Sequence, residues 1–355
     1  MSKTVAVIPG EDSAPEAMSA TLQVLDEMRL GINWVYPPVG TAAREQHGTV
    51  FPGIAKDMID AADATLFGAT SGACTKALFY LRWGKQTYAN LRPTRYLKGF
   101  KSPLAKPDAI DFVIVRENLE DMYLFLEGPL QDLAPLDLTS RTNLSQPHKL
   151  GAGNYAIKAI TEAGSRRVIR HAFELATQRA AELGRKGKVT VSSKTNMLPQ
   201  TDGLFAAVGA EVARDYPELD YEQFIVDDMA HRLVAQADAF DVIVMPNLYG
   251  DILSDAAAGL AGGLGLAPSA CIGDDYAYFE PAHGTAPDIA GQGIVNPTGT
   301  LLSAALMLSY LGDAANAARL NDAIAAIYAQ GQVLTPDQGG TASTIEFANQ
   351  LCALV

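Results

Sequence analysis

The chain has only three cysteines in 355 residues: Cys74, Cys271 and Cys352. They show no Cys-x-x-Cys spacing and cannot all pair, which excludes a disulfide framework and points to a reducing compartment. Histidine is also scarce, five residues scattered without metal-ligand spacing, and this argues against a histidine-bound zinc site. Basic residues are outnumbered 27 to 40, for a net charge of −13. That balance excludes a general affinity for nucleic acid or an anionic membrane surface, so an anionic ligand has to be met by a local arginine cluster. No apolar run is long enough to span a bilayer, since residues 259–270 are interrupted by glycines and Pro268. The first apolar stretch, Lys3-Thr-Val-Ala-Val-Ile-Pro9, is too short for a signal peptide and reads as a strand. The expected location is cytoplasmic. After that strand comes Gly10-Glu-Asp-Ser-Ala-Pro with no Gly-x-Gly-x-x-Gly, so a nucleotide here is not bound in the Rossmann manner.

Apolar residues make up 48% of the chain and charged residues 19%, as in an ordinary globular protein of one large or two moderate domains. Short runs rich in β-branched residues, at 5–8, 64–68, 111–115, 188–192, 221–226 and 240–246, read as strands. Helical periodicity covers 14–28, 160–183, 301–311 and 316–330. Residues 126–150 have no clear period and read as an arm or loop reaching a neighbour. Several strands end directly in polar groups, the pattern of an α/β enzyme.

Asp251 and Asp255 stand four apart at the start of a helix that follows the 240–246 strand. On one helical face two carboxylates repel unless a cation lies between them, and oxygen donors of this kind suit Mg²⁺ or Mn²⁺. The plainer reading is a pair of solvated acids favoured by the helix dipole. Arg82 lies towards the end of an amphipathic helix, Arg92 is held extended by the following Pro93, and Arg116 ends a strand. Together they form a bidentate carboxylate site, or separately they are three surface arginines. Lys194 follows a strand, where a lysine is ordinarily solvated. His283-Gly-Thr-Ala-Pro287 is a small-residue loop that lets backbone approach a ligand, or simply a turn.

Six motifs occur in one order: Ala89-Asn-Leu-Arg-Pro93; Val115-Arg-Glu-Asn118 through Tyr123; Lys194-Thr-Asn196 with Thr201-Asp-Gly-Leu-Phe205; Val226-Asp-Asp-Met-Ala230; Asn247 to Asp255; and Phe279-Glu-Pro to Gly291 with Asn296-Pro297. With them the whole chain resembles the isocitrate/3-isopropylmalate dehydrogenase family of metal-dependent β-decarboxylating dehydrogenases. The resemblance implies an α/β fold with a mixed parallel sheet and a non-Rossmann nucleotide site. It divides the chain into a large cofactor-binding domain, 1–98 plus 262–355, and a small domain, 99–261, with the dimer interface and an arm.

Carried over to these positions, the resemblance implies that Arg82, Arg92 and Arg116 hold the carboxylates of a small dicarboxylate substrate. Leu78 and Phe79 face its C3 substituent. Asp251 and Asp255, with Asp227 from a dimer partner, hold Mg²⁺ or Mn²⁺. Lys194, also from the partner, takes the 2-hydroxyl proton, and Tyr123 returns a proton to C3. NAD is the implied cofactor, along His283, Gly284, Thr285, Ala286, Pro287, Asp288, Ile289 and Asn296, and the implied assembly is a homodimer with shared active sites. Three places depart from the family pattern. The first loop, Gly10 to Glu16, lacks two glycines; Asp228 replaces an asparagine; and Cys74-Thr-Lys76-Ala-Leu78-Phe79 matches no member's substrate-reading segment. The apolar Leu78 and Phe79 favour a 3-isopropylmalate-like substrate, with isocitrate, homoisocitrate, tartrate or D-malate as alternatives. A non-catalytic regulatory subunit of the same family is the alternative of another class.

Overall fold

The structure is a computed structural model that describes residues 2–355. Ten strands form one sheet: β1 (Thr4–Ile8), β2 (Asn33–Val35), β3 (Ala64–Phe67), β4 (Ala89–Arg95), β5 (Asp111–Glu117), β8 (Lys188–Ser193), β9 (Asp220–Ile225), β10 (Val242–Met245), β11 (Pro268–Ile272) and β12 (Ala277–Pro281). Their order is β2-β1-β3-β12-β11-β4-β5-β10-β8-β9. Pairing is parallel in both wings and antiparallel at β12/β11, β11/β4 and β4/β5. The sheet is therefore mixed, and its two parallel wings run in opposite directions.

The β-branched runs expected as strands are strands because helices cover both sheet faces and bury alternate residues on opposite sides. Val5 and Val7 of β1 join Leu66 and Phe279 under the helices Ala14–Glu27, Thr298–Tyr310 and Ala314–Gln330; Ala6 and Ile8 face Ile59, Tyr276 and Tyr278 on the other side. In the second wing, Val113, Val115, Val189 and Val242 pack under Glu162–Leu183 and Thr201–Val212. Ile114, Ile243 and Met245 pack against Val226–Ala235 and Asn247–Ala261.

Helix starts differ from the periodic reading where capping groups decide them. The Thr161 side chain accepts the Gly164 N–H and delays the expected 160–183 helix to Glu162. Asp313 caps Ala314–Gln330 in the same way. The aperiodic 126–150 stretch contains a short strand, β6 (Glu127–Pro129), which pairs antiparallel with β7 (Asn154–Ala156) as a separate ribbon. Leu126, Leu136, Leu138, Leu144 and Leu150 along it are exposed. No helix among the described residues is long and apolar enough to cross a membrane.

Candidate active site

Pro246 takes extended backbone after β10, and Asn247–Ala261 begins at once, with Asp251 and Asp255 one turn apart. Gly250 makes the next step: a Cβ there would lie 2.7 Å from Cβ of Arg116, so only glycine lets this helix close on β5. Arg116 donates from Nε to Asn247 Oδ1 at 2.9 Å and from Nη1 to Asp251 Oδ1. Arg92, on β4, donates from Nη1 to Ser254 Oγ at 2.8 Å and to Asp255 Oδ1 at 3.0 Å, with Nη2 3.3 Å from Asp251. The Tyr123 hydroxyl donates to the other oxygen of Asp251, and the Arg116 guanidinium lies 4.9 Å from the centre of the Tyr123 ring. Asp251 is thus the meeting point of Arg92, Arg116 and Tyr123.

The arginines are buried together: Arg82 is 8% exposed, Arg92 7% and Arg116 2%. Burial first, and then the charge of Arg92, pull the Arg116 guanidinium down to about 10. For Asp251 burial raises the carboxyl, but Arg116 and Arg92 outweigh it and hold it below the ordinary range. Asp255 goes the other way, because burial and the Asp251 charge prevail over Arg92. A dication on the acidic pair would offset both of these effects. Among the described residues no three His, Cys, Asp or Glu side chains form a ligand set, so within this chain a cation at the acidic pair would find only the two carboxylates of Asp251 and Asp255. Burial and the bond to Asp251 raise the Tyr123 phenol and keep it protonated. Nε of Arg82 and of Arg92 is buried without a hydrogen-bond acceptor. Guanidinium donors left over in a buried cluster are available to an oxyanion.

Arg82 lies towards the end of a helical run, as expected, but that run is not α-helical throughout. The helix Thr75–Phe79 widens into a π-turn, Tyr80–Gly84, which carries Arg82 inward; such widenings recur at functional sites. Leu78 is half-buried and packed against the core, and Lys76 points to water. Phe79 instead meets Trp83 at 5.1 Å and Phe125 at 5.6 Å between ring centres. Phe125 sits at φ 54°, rare for a bulky residue, and is 61% exposed. It lies 6.5 Å from the Tyr123 ring, so an aromatic wall flanks the arginines. Sequence patterns singled out neither Trp83 nor Phe125.

Lys194 follows β8, and its Nζ pairs with Asp227 Oδ1 at 2.5 Å. Asp227 opens Val226–Ala235 directly after β9, and this pair lowers its carboxyl. Asp228 pairs with Arg232 in the next turn of that helix. No hydrogen bond or ion pair among the described residues joins Lys194 or Asp227 to Asp251, Asp255, Tyr123 or the arginines. The fold gathers Tyr123, Lys194, the arginines and the three expected aspartates into two groups, one around Asp251 and one around Lys194.

The loop at residues 283–289 makes a third group. His283 Nδ1 lies 2.8 Å from Gly284 O, which only accepts, so Nδ1 carries the proton and Nε2 is an acceptor. That Nε2 is buried without a donor and suits a ligand N–H or O–H. The glycine-poor first loop is tied to this one. Asp12 takes φ 55°, which aspartate tolerates better than most side chains. The Ser13 hydroxyl donates to Thr285 O at 2.8 Å, and Glu16 accepts the Gly291 and Gly293 N–H groups. Glu11 accepts the N–H groups of Ser71, Gly72 and Ala73. Ala286 has φ 46°, Pro287 to Ile289 form a 3-10 turn, and Asp288 is exposed. The Asn296 amide is taken up internally by Tyr328, Asp337 and Thr298.

Fold and site together define a mixed α/β protein in which a buried arginine cluster, an acidic pair and a tyrosine hydroxyl meet, an arrangement suited to an enzyme acting on carboxylates. The chain belongs to the isocitrate/isopropylmalate dehydrogenase family, whose model matches residues 4–351, and it is a decarboxylating dehydrogenase. It is 40% identical over 354 residues to the 3-isopropylmalate/3-methylmalate dehydrogenase of Methanocaldococcus jannaschii, covering 99% of this chain and 98% of that one. It is 39% identical over 353 residues to the isocitrate/homoisocitrate dehydrogenase of Thermus thermophilus, covering 98% and 97%. The isocitrate dehydrogenase crystal structure from Methylococcus capsulatus matches with a TM-score of 0.85 at 34% identity, covering 99% of this chain and 98% of that one.

Proposed function

We propose that this chain catalyses the NAD- and Mg²⁺- or Mn²⁺-dependent oxidative decarboxylation of a 3-substituted malate whose C3 substituent is apolar, 3-isopropylmalate being the model substrate. The observation that carries this is the cluster of three buried guanidiniums, Arg92 and Arg116 paired with Asp251 and Arg82 beside them, in which Nε of Arg82 and of Arg92 has no acceptor. Arg82, Arg92 and Arg116 bind the two carboxylates. Lys194 removes the proton of the 2-hydroxyl as hydride leaves C2. When bound, the nicotinamide supplies the hydride acceptor and the dication on Asp251 and Asp255 supplies charge stabilisation at the new ketone. The C3 carboxylate leaves as CO₂, the electron pair of its bond forms the enolate, and Tyr123 delivers a proton to C3. Lys194 and Asp227 stand apart from Asp251 within one chain, which supports a homodimer with shared sites. In that reading residues 1–98 plus 262–355 are the cofactor-binding domain and 99–261 the interface domain, the exposed leucines of 126–150 meeting the partner.

The wall of Phe79, Trp83 and Phe125 supports the apolar substituent, because an unpaired γ-carboxylate against it costs several kcal/mol and Lys76 points to water. The reading is tested by kcat/KM on 3-isopropylmalate, isocitrate, homoisocitrate, tartrate and D-malate with NAD and Mn²⁺. We expect 3-isopropylmalate to lead isocitrate by tenfold or more, about 1.4 kcal/mol of differential transition-state binding. The reverse order would remove the apolar-subsite reading, and turnover of none of the five would remove the reaction.

Cofactor choice follows from Asp288, whose carboxylate suits free ribose hydroxyls and repels a 2′-phosphate. No lysine or arginine lies between His283 and Asn296 to receive one. With the best substrate of the panel, kcat/KM for NAD is expected to exceed that for NADP; a preference for NADP would contradict the role given to Asp288.

A further inference from the structure

We infer that Lys158 is a positioning residue that joins the segment carrying Lys194 to the segments carrying Tyr123 and Asp251, so that the two groups of site residues are held as one unit. The functional meaning of that unit rests on the reaction proposed above; the linkage itself does not.

Lys158 lies in an irregular stretch between β7 and the helix Glu162–Leu183, with nothing in the local sequence to mark it. Its side chain is nonetheless only 13% exposed, between two carboxylates of 0% exposure. Nζ is 2.8 Å from Asp202 Oδ2, 3.4 Å from Asp121 Oδ1 and 3.3 Å from the Tyr249 hydroxyl, and 4.4 Å from the centre of that ring. A surface lysine gains little from such a pair, whereas two dehydrated carboxylates require a cation. Asp121 Oδ1 has no hydrogen-bond partner, which leaves the Lys158 ammonium as its compensating group.

Each aspartate uses its other oxygen on a backbone N–H that begins a segment of the site. Asp202 Oδ1 accepts the Lys194 N–H at 2.7 Å, and Asp121 Oδ2 accepts the Leu248 N–H at 2.9 Å in the first turn of the Asp251 helix. Asp121 is also two residues before Tyr123, at φ 70° and ψ −140°, a conformation natural to glycine. Its own N–H is held by Ala159 O at 2.9 Å, next to Lys158. One chain of contacts therefore runs from the Lys194 amide through Asp202, Lys158 and Asp121 to the Leu248 amide. If Lys194 serves the partner's site, Lys158 is also the link between the two sites of the dimer.

The test is hydrogen–deuterium exchange on the full-length protein, read on peptides containing Lys194 and Leu248. In Lys158→Met we expect both amides to exchange faster by tenfold or more, with β10 unchanged and with recovery in Lys158→Arg. With 3-isopropylmalate, NAD and Mn²⁺, kcat is expected to fall roughly tenfold or more while KM moves less than about threefold, since the arginines are untouched. Should Lys158→Met not fold, Asp202→Asn is isosteric and keeps an acceptor for the Lys194 amide; faster exchange at the distant Leu248 amide is then the expected result. Loosening confined to the peptide around residue 158, or a Leu248 amide indifferent to Asp202→Asn, overturns the inference. Exchange needs no substrate, so its failure removes the positioning role, while a wild-type protein inactive on all five substrates removes the proposed reaction alone.

Discussion

Lys194→Ala is expected to reduce kcat by a factor on the order of 10³, within the range for loss of a positioned general base, with little change in substrate affinity. The basis is the separation seen within one chain. Arg92, Arg116 and Tyr123 gather on Asp251, and Lys194 is held apart with Asp227. Tyr123→Phe removes the proton donor from the other group and is expected to be similarly impaired. A mixture of the two inactive proteins, exchanged into hybrid dimers, should recover activity, because one site in each hybrid then combines an intact Tyr123 with an intact Lys194. Hybrid formation is verified with two affinity tags before the assay. A verified hybrid as inactive as its parents would exclude sites shared between subunits.

Asp251→Asn should have an effect of comparable size through two routes. The substitution preserves shape but removes one of two carboxylate donors to the cation, and Mn²⁺ affinity by calorimetry is expected to fall on the order of a hundredfold. It also withdraws the charge that Arg116 and Arg92 share. Removing one partner from so buried a cluster is expected to cost about 1–3 kcal/mol of stability. The pH dependence identifies that second route. Asp251 is held below the ordinary carboxylate range by Arg116 and Arg92 against the effect of burial. Its contribution is therefore present in full above the unfolded-state value near pH 4 and is lost as pH falls through the depressed folded value. The stability difference between wild type and Asp251→Asn should be constant at neutral pH and shrink below about pH 4. Full wild-type activity in excess chelator would refute the metal reading outright, whatever the stability data show.

Much of the site was legible because its chemistry is written locally. Asp251 and Asp255 are four apart at a helix start, and helical geometry alone puts them on one face. The strands were legible because helices bury both sides of the sheet, which selects continuous β-branched runs such as Val242 to Met245. Arg92 and Arg116 could be named, but not their meeting. That depends on the β4/β5 register, which sets Asn90 opposite Arg116, and on Gly250 admitting the helix. Arg82 could be placed towards the end of its helix, but the π-turn that carries it could not be foreseen, because such a turn leaves no period in the sequence. Phe125 was missed because an aromatic residue at positive φ runs against local preference, and no pattern signals it.

The sequence by itself determined the family, the α/β class, the acidic pair and the residue types that the reaction needs, since each is carried by residues adjacent in the chain or one helical turn apart. Only the tertiary structure decided which groups share an environment. It made Asp251 the common partner of Arg92, Arg116 and Tyr123, set Lys194 and Asp227 apart from them, and buried Lys158 between Asp121 and Asp202. The reason is that charge compensation in a buried site acts through space at a few ångströms, between residues up to 163 positions apart in the chain. No local pattern constrains such a pairing; strand register, a glycine contact and the closure of helices on the sheet do.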